Sequence, residues 1–102
     1  MNKKVLVVED DKNLGKVLTD YLSSKKFIVE LAEDGEKGLE FFINNTYDIV
    51  ILDIMMPKKD GFSLAKDIRK INKDIPLIFL TAKSQRDSIV KAFNIGADDY
   101  LT

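Results

Sequence analysis

The sequence predicts an α/β fold, in which a doubly wound parallel sheet of five strands carries helices on both faces. Two observations favour this fold class. Short apolar runs of four or five residues, typical of buried parallel strands, alternate with longer segments whose apolar residues recur at helical spacing. The length of 102 residues suits one domain. Four complete strand–helix units and the start of a fifth strand are therefore assigned to one sheet.

The first half of the chain contains two strand–helix units. Residues 5–8 and 28–32 predict the first two strands, because both runs are short and mostly apolar. A helix is predicted after each strand, and Asp11 and Asp34 are placed to cap the two amino-terminal ends. The apolar residues at helical spacing are Leu14, Val17, Leu18, Tyr21 and Leu22 in the first helix and Leu39, Phe42 and Ile43 in the second.

The second half contains two further units and the start of the fifth strand. The predicted strands are residues 49–52, 77–80 and 99–102. The third strand ends abruptly at Asp53, and residues 54–60 predict a loop. Asp60 is placed to cap a helix whose apolar residues are Leu64, Ala65, Ile68 and Ile71. Residues 84–87 form a capping box for a fourth helix, which is predicted to end near Gly96.

Composition excludes several functional classes. The chain has no Cys and no His, which excludes disulfides, zinc–thiolate sites and imidazole-based nucleophile pairs. Sixteen basic against seventeen acidic residues give a net charge of −1, so no overall basic field is available to hold nucleic acid. No apolar stretch approaches the roughly 20 residues of a membrane helix, and no signal peptide is recognisable. We therefore expect a cytoplasmic protein without membrane contact.

Acidic residues follow the predicted strands. In an open parallel sheet, ligands bind beyond the carboxyl ends of the strands. Glu9 and Asp10 stand after the first strand, Asp53 ends the third, and Thr81 follows the fourth. If the first and third strands are neighbours, their carboxylates converge, and their repulsion is best relieved by a hard divalent cation such as Mg²⁺. An aspartate in such a site could also accept a phosphoryl group.

Simpler interpretations account for some of these residues but not for all of them. Asp11, Asp34 and Asp60 are explained as helix caps. A cap explains at most one of Glu9 and Asp10, and Asp53 has no helix directly after it to cap. Thr at a strand end is usually part of a turn, and a strand Tyr is common. The phosphate-binding loop, dinucleotide and nucleophile-elbow motifs are absent, and the two-aspartate pattern of haloacid-dehalogenase phosphatases fits poorly.

Four motifs together resemble one known family. They are residues 7–11 (VVEDD), 51–57 with 60–61 (ILDIMMP and DG), 80–82 (LTA) and 96–100 (GADDY). In this order and spacing they resemble the receiver domain of a bacterial two-component response regulator, most like the OmpR/PhoB type. The resemblance covers residues 1–102 as one domain. It implies a flavodoxin-like, CheY-like strand order 2-1-3-4-5. It also implies that the last helix is absent, so that the domain is truncated at its C-terminal end.

The resemblance also implies roles for particular residues. Asp53 corresponds to the phosphoacceptor, which takes its phosphoryl group from a sensor histidine kinase. Glu9 and Asp10 correspond to the acidic pair that binds Mg²⁺ together with Asp53, and the backbone carbonyl of Met55 corresponds to a further ligand. Thr81 and Tyr100 correspond to the switch pair, in which the hydroxyl moves toward the phosphoryl group and the aromatic ring turns inward.

The same resemblance implies how such a switch is used. Regulators of the OmpR/PhoB type carry a C-terminal DNA-binding domain, so DNA would be contacted only through a domain missing from this sequence. Homodimerisation on phosphorylation is expected. The domain would catalyse its own phosphorylation and dephosphorylation and would not be a metabolic enzyme. Two alternatives stay open: a Mg²⁺-dependent phosphohydrolase with an Asp nucleophile, and a binding module with an inactive acidic pocket.

Overall fold

The computed structural model describes residues 2–54, 56 and 59–80, and the backbone of residues 99–101. The strands are β1 (Lys4–Val8), β2 (Ile28–Ala32), β3 (Ile49–Asp53), β4 (Leu77–Leu80) and β5 (Asp99–Leu101). The helices are α1 (Lys12–Ser24), α2 (Gly35–Asn44) and α3 (Gly61–Ile71). The fourth helix predicted after residues 84–87 lies outside the described residues.

The five strands form one parallel sheet in the order β2-β1-β3-β4-β5. This confirms the predicted fold class and strand order. In the register of the sheet, Val8 at the end of β1 is opposite both Ala32 of β2 and Leu52 of β3. Glu9 and Asp53, the residues that follow Val8 and Leu52, therefore lie side by side at the carboxyl edge of the sheet.

The three predicted aspartate caps are present at the amino-terminal ends of the described helices. The Asp11 carboxylate accepts the backbone N–H groups of Asn13 at 2.9 Å and Leu14 at 3.2 Å. Asp34 accepts from Lys37 at 2.9 Å, and Asp60 accepts from Ser63 at 2.8 Å. These bonds satisfy N–H groups that have no partner within the helix, which is why short acidic residues recur at the three positions.

The two faces of the sheet are covered to different extents. On the face of α2 and α3, the core includes Leu6, Leu52, Leu64 and Phe79, all fully buried. On the opposite face, α1 packs through half-buried residues over Val5 and Val7, while the β4 side chains Ile78 and Leu80 remain half-buried. No helix in the described part of the chain combines the length and apolar character needed to cross a membrane.

Several residues of the predicted apolar helix faces are exposed. In α1, Val17 is 63% and Tyr21 59% exposed, whereas the buried residue of the helix is Gly15. Ile43 in α2 and Ile71 in α3 are likewise more than half exposed, at 62% and 55%. Helical spacing identifies the side of a helix that is apolar but not how much of that side its neighbours cover.

Candidate metal centre

Three carboxylates meet at the carboxyl edge of the sheet. Glu9 and Asp10 directly follow β1, and Asp53 is the last residue of the neighbouring β3. One carboxylate oxygen of each lies within 4.8 Å of the others, a spacing that could hold one metal ion. Among the described residues this is the single grouping of three or more potential metal ligands. The structure therefore brings together the acidic residues that the sequence singled out at the ends of these two strands.

The consecutive acidic residues after β1 separate into two roles. Glu9 turns inward and is only 3% exposed, and its Oε2 accepts the backbone N–H of Asp10 at 3.0 Å. Asp10 is exposed and Asp53 is partly buried, so the group opens to solvent on one side. Asp11 turns away and caps α1. The backbone N–H of Glu9 continues the sheet by donating to the Ala32 carbonyl at 3.0 Å.

Burial makes ionisation of the Glu9 carboxyl unfavourable. Loss of hydration, and after it the hydrogen bond and negative charge of Asp53, together raise the pKa of Glu9 from its ordinary value of 4.5 to about 8. A buried carboxylate next to a second carboxylate is unfavourable unless a proton or a cation compensates the charge. In the absence of a cation, Glu9 therefore keeps a proton in neutral solution.

The donor set fits a hard divalent cation. All three side chains offer oxygen, and none offers sulfur or nitrogen, which is the chemistry that Mg²⁺ prefers. Mg²⁺ usually keeps several water molecules and takes few protein ligands, so an opening beside exposed Asp10 suits it. A cation there would replace the proton on Glu9 and would compensate the negative charge that Glu9 then carries beside Asp53.

The remaining predicted site residues are not tested by this geometry. Met55, with its predicted carbonyl ligand, and Thr81 lie outside the described residues. The backbone of Tyr100 belongs to β5, opposite Phe79 of β4, but its side chain lies outside the described residues. Thr81 directly follows Leu80, the last residue of β4.

The sequence predicts Gly61 at a helix start and as part of the motif of residues 51–57 and 60–61, and the structure adds a packing role. Its N–H donates to the Ile54 carbonyl at 2.9 Å, and a Cβ at this position would lie 2.1 Å from the Asp53 carbonyl oxygen. The segment that leaves Asp53 is therefore packed directly on the beginning of α3. The Asp60-Gly61 pair was the available signal, but a glycine after a cap does not reveal which backbone it contacts.

A separate depression of about 570 Å³ lies at the opposite, amino-terminal edge of the sheet. It is lined by the segments that precede β3 and β4, including Tyr47 and Ile75, and by the carboxyl ends of α2 and α3. It contains none of the predicted site residues.

Comparison with known proteins identifies one family over nearly the whole chain. The sequence profile described as the response regulator receiver domain matches residues 5–102. The transcriptional regulatory protein RprY of Bacteroides fragilis is 52% identical over 99 residues, which cover 97% of this chain and 42% of RprY. The chain spans less than half the length of the first curated relatives that it matches, which are transcriptional regulatory proteins.

Solved structures agree in fold. Chemotaxis protein CheY4 of Vibrio cholerae superposes with a TM-score of 0.95 at 27% identity, covering 100% of this chain and 87% of CheY4. Response regulator TrrA of Thermotoga maritima, solved in complex with Mg²⁺ and BeF, superposes with a TM-score of 0.90 at 39% identity. That match covers 98% of this chain and 85% of TrrA.

Proposed function

The chain belongs to the response regulator receiver domain family, and from that premise we propose that it is the phosphorylation-activated switch of a two-component phosphorelay in which Asp53 accepts the phosphoryl group. The observation that carries this proposal is the meeting of Asp53 with Glu9 and Asp10 at the carboxyl edge of β1 and β3. A phosphoacceptor needs a carboxylate, access to a donor and compensation for added negative charge, and this grouping can provide all three.

The proposed reaction transfers one phosphoryl group from a phosphorylated histidine of a sensor kinase. A bond forms between phosphorus and a carboxylate oxygen of Asp53 as the bond between phosphorus and the histidine nitrogen breaks, and the nitrogen keeps the electron pair. Hydrolysis of the resulting acyl phosphate returns the free carboxylate and inorganic phosphate. The domain then acts only on its own Asp53, so we propose that it is not a metabolic enzyme.

Glu9, Asp10 and Asp53 would hold Mg²⁺, with the backbone carbonyl of Met55 as a further proposed ligand. When bound, the ion supplies positive charge close to the transferring phosphoryl group. Glu9 contributes a ligand fixed by burial, and Asp10 contributes one at the solvent side, where the donor must approach. The TrrA structure, solved with Mg²⁺ and BeF, supports the same use of the site here.

The proposed switch follows from the charge that phosphorylation adds. A phosphorylated Asp53 presents new acceptor oxygens that need a donor, and the Thr81 hydroxyl at the end of β4 is the proposed one. Its inward movement would leave space for the Tyr100 ring on the neighbouring β5. The balance between two packed arrangements would then depend on the phosphoryl group.

We propose that the output lies in other parts of a longer protein. The first relatives are transcriptional regulatory proteins more than twice the length of this chain. DNA binding is therefore proposed for an additional C-terminal domain, controlled by this one through homodimerisation on phosphorylation. The proposed upstream partner is a sensor histidine kinase.

The test is the intact mass of the protein after incubation with acetyl phosphate, with Mg²⁺ or with a chelator. The wild-type chain is expected to gain one phosphoryl group in a Mg²⁺-dependent manner, and Asp53→Asn is expected to gain none. Asp60→Asn is the matched control, because Asp60 is a nearby exposed aspartate outside the grouping. A phosphoryl group on Asp53→Asn would refute Asp53 as the acceptor, and repeated turnover of a phosphomonoester by the wild type would favour a phosphohydrolase.

A further inference from the structure

The start of α2 packs against the backbone that leads into α3. Gly35 is the first residue of α2, and a Cβ placed on it would lie 2.0 Å from the carbonyl oxygen of Lys59. Real Cβ atoms essentially never come closer than 3.0 Å to such an atom. The glycine is thus required by a close approach between two segments that are far apart in sequence.

The contact at Lys59 continues to Asp53 through Gly61. Gly61 lies two residues after Lys59, and its Cα packs directly against the Asp53 carbonyl. The Gly61 N–H donates to the Ile54 carbonyl at 2.9 Å. The start of α2, Lys59, Gly61 and the end of β3 therefore form a continuous series of contacts. Each member of this series lies within the described residues.

The α2 side of the contact has little room to move. Asp34 caps the helix, and a Cβ on Gly38 would lie 2.9–3.1 Å from side-chain atoms of Val8 and Leu64, so the helix already sits close to the core. On the other side, the Lys59 ammonium forms an ion pair with Asp67 of α3 at 2.6 Å. An atom added at Gly35 is expected to displace the Lys59 backbone, because a connecting segment moves more easily than a helix that is packed on the core.

We propose that Gly35 is a positioning residue for Asp53: by lacking a Cβ, it lets the Lys59 carbonyl pack against α2 and so fixes, through Gly61, the backbone that holds the Asp53 carboxylate beside Glu9. This inference rests on the proposed role of Asp53 as phosphoacceptor. Helix α2 contributes no carboxylate to the grouping, but in this proposal it helps to set the geometry of the site.

The first test is Gly35→Ala. The added methyl group requires the Lys59 carbonyl to shift by about 1 Å, and a misplacement of that size can cost up to about a hundredfold in rate. We expect the rate of Asp53 phosphorylation by acetyl phosphate to fall at least tenfold. We also expect the amide resonance of Gly61 to shift in a proton–nitrogen correlation spectrum, because its hydrogen bond to Ile54 is disturbed.

Gly15→Ala is the matched control. Gly15 is also a buried helix residue, but the three atoms nearest to its Cβ would all be side-chain carbons of Leu31, the closest at 3.0 Å. Those carbons can move by side-chain rotation, so the control makes the same chemical change without pressing on the Asp53 connection. It is expected to retain the wild-type rate and the wild-type Gly61 resonance.

The outcomes separate this inference from the proposed function. If the wild type gains no phosphoryl group, the proposed function fails, whereas the Gly61 resonance still reports on the contact. If Gly35→Ala folds and its rate is within threefold of Gly15→Ala, the inference is overturned. If Gly35→Ala does not fold, the test uses Lys59→Gly. This substitution adds no atom, and it removes the ion pair with Asp67 that helps to hold the carbonyl of residue 59 in place. Its rate should fall at least threefold, and a wild-type rate would overturn the inference.

Discussion

Glu9 and Asp10 are adjacent acidic residues whose surroundings differ sharply. The backbone direction at the end of β1 places the Glu9 side chain inside, at 3% exposure, and leaves Asp10 in solvent. The Asp10 side chain therefore stays hydrated, whereas the buried Glu9 carboxyl needs a proton or a cation. The charge balance of the site therefore depends more on Glu9 than on Asp10, although the sequence alone makes the two residues look equivalent.

The raised pKa of Glu9 predicts a stability that depends on pH in the absence of metal. Its ordinary pKa is 4.5 and its value in the fold is about 8, so between these values the folded chain binds more protons than the unfolded chain. The free energy of unfolding should therefore fall as pH rises from 5 to 8, by at most about 1.4 kcal/mol per pH unit. Urea unfolding in the presence of a chelator measures this slope.

Two controls assign that slope to Glu9. Glu9→Gln cannot ionise, so its unfolding free energy should be nearly flat over the same interval and should exceed that of the wild type at pH 8. Added Mg²⁺ should stabilise the wild type at pH 8 more than the variant, because a ligand that binds the folded state stabilises it. An identical slope in both proteins would contradict the assignment.

The pKa of Glu30 is shifted in the opposite direction from that of Glu9, so Glu30 affects stability in a different pH interval. The Tyr47 hydroxyl donates to its Oε1 at 2.6 Å, and Lys4 lies 3.3 Å from the same oxygen. Chiefly that hydrogen bond holds the pKa of Glu30 below its usual value. The contribution of Glu30 to stability is present above its ordinary pKa and is lost as the pH falls below that value. Glu30 therefore does not affect the pH dependence of stability above pH 5, where Glu9 acts.

At the scale of elements, the boundaries were predictable where local chemistry determines them. A short acidic side chain that can accept an N–H two or three residues later favours a helix start, and Asp11, Asp34 and Asp60 all do so. The strand β4 follows Pro76 and matches its predicted range of 77–80. These features depend on residues within one turn or one strand, which is the range over which sequence patterns are informative.

The burial of helix faces was less predictable because it depends on distant neighbours. Helix α3 shows the difference within a single turn: Ile68 is fully buried in the hydrophobic core, whereas Ile71, also on the predicted apolar face, is 55% exposed. Both positions satisfy the same spacing rule. Only the placement of the surrounding elements distinguishes them.

This difference predicts unequal effects of the same substitution in α3. Ile68→Ala removes buried methyl and methylene groups and leaves a cavity, so it should lower the free energy of unfolding by about 2–5 kcal/mol. Ile71→Ala, three residues later, should change it by less than about 1 kcal/mol, because most of that side chain is already in water. Chemical denaturation of both variants measures the two effects. Similar losses would show that Ile71 is covered in solution.

At the scale of the whole molecule, the site depends on strand order. Glu9 and Asp53 meet because β1 and β3 are neighbours although β2 lies between them in the chain. Periodicity predicted parallel strands with helices between them, but the order itself came from family resemblance. The contact of Gly35 with Lys59 had no sequence signal at all, since a glycine at a helix start is equally compatible with open space.

The charge of the molecule predicts how this chain behaves toward DNA. Sixteen basic and seventeen acidic residues leave a net charge of −1, and phosphorylation of Asp53 would make it more negative. Binding to duplex DNA draws much of its affinity from phosphate contacts by Lys and Arg, which this balance does not favour. We therefore expect the 102-residue chain to show no binding to a fluorescent duplex in fluorescence anisotropy at physiological salt.

That expectation holds before and after treatment with beryllofluoride and Mg²⁺. The proposed switch would change contacts with other domains or copies and would add no positive charge that favours DNA binding. A longer protein with the additional C-terminal part proposed from the transcriptional relatives should bind, with an affinity that falls steeply as salt is raised. Salt-sensitive binding by the 102-residue chain alone would contradict the division of roles. It would place a DNA contact on the surface of this domain and would require the output to be sought there.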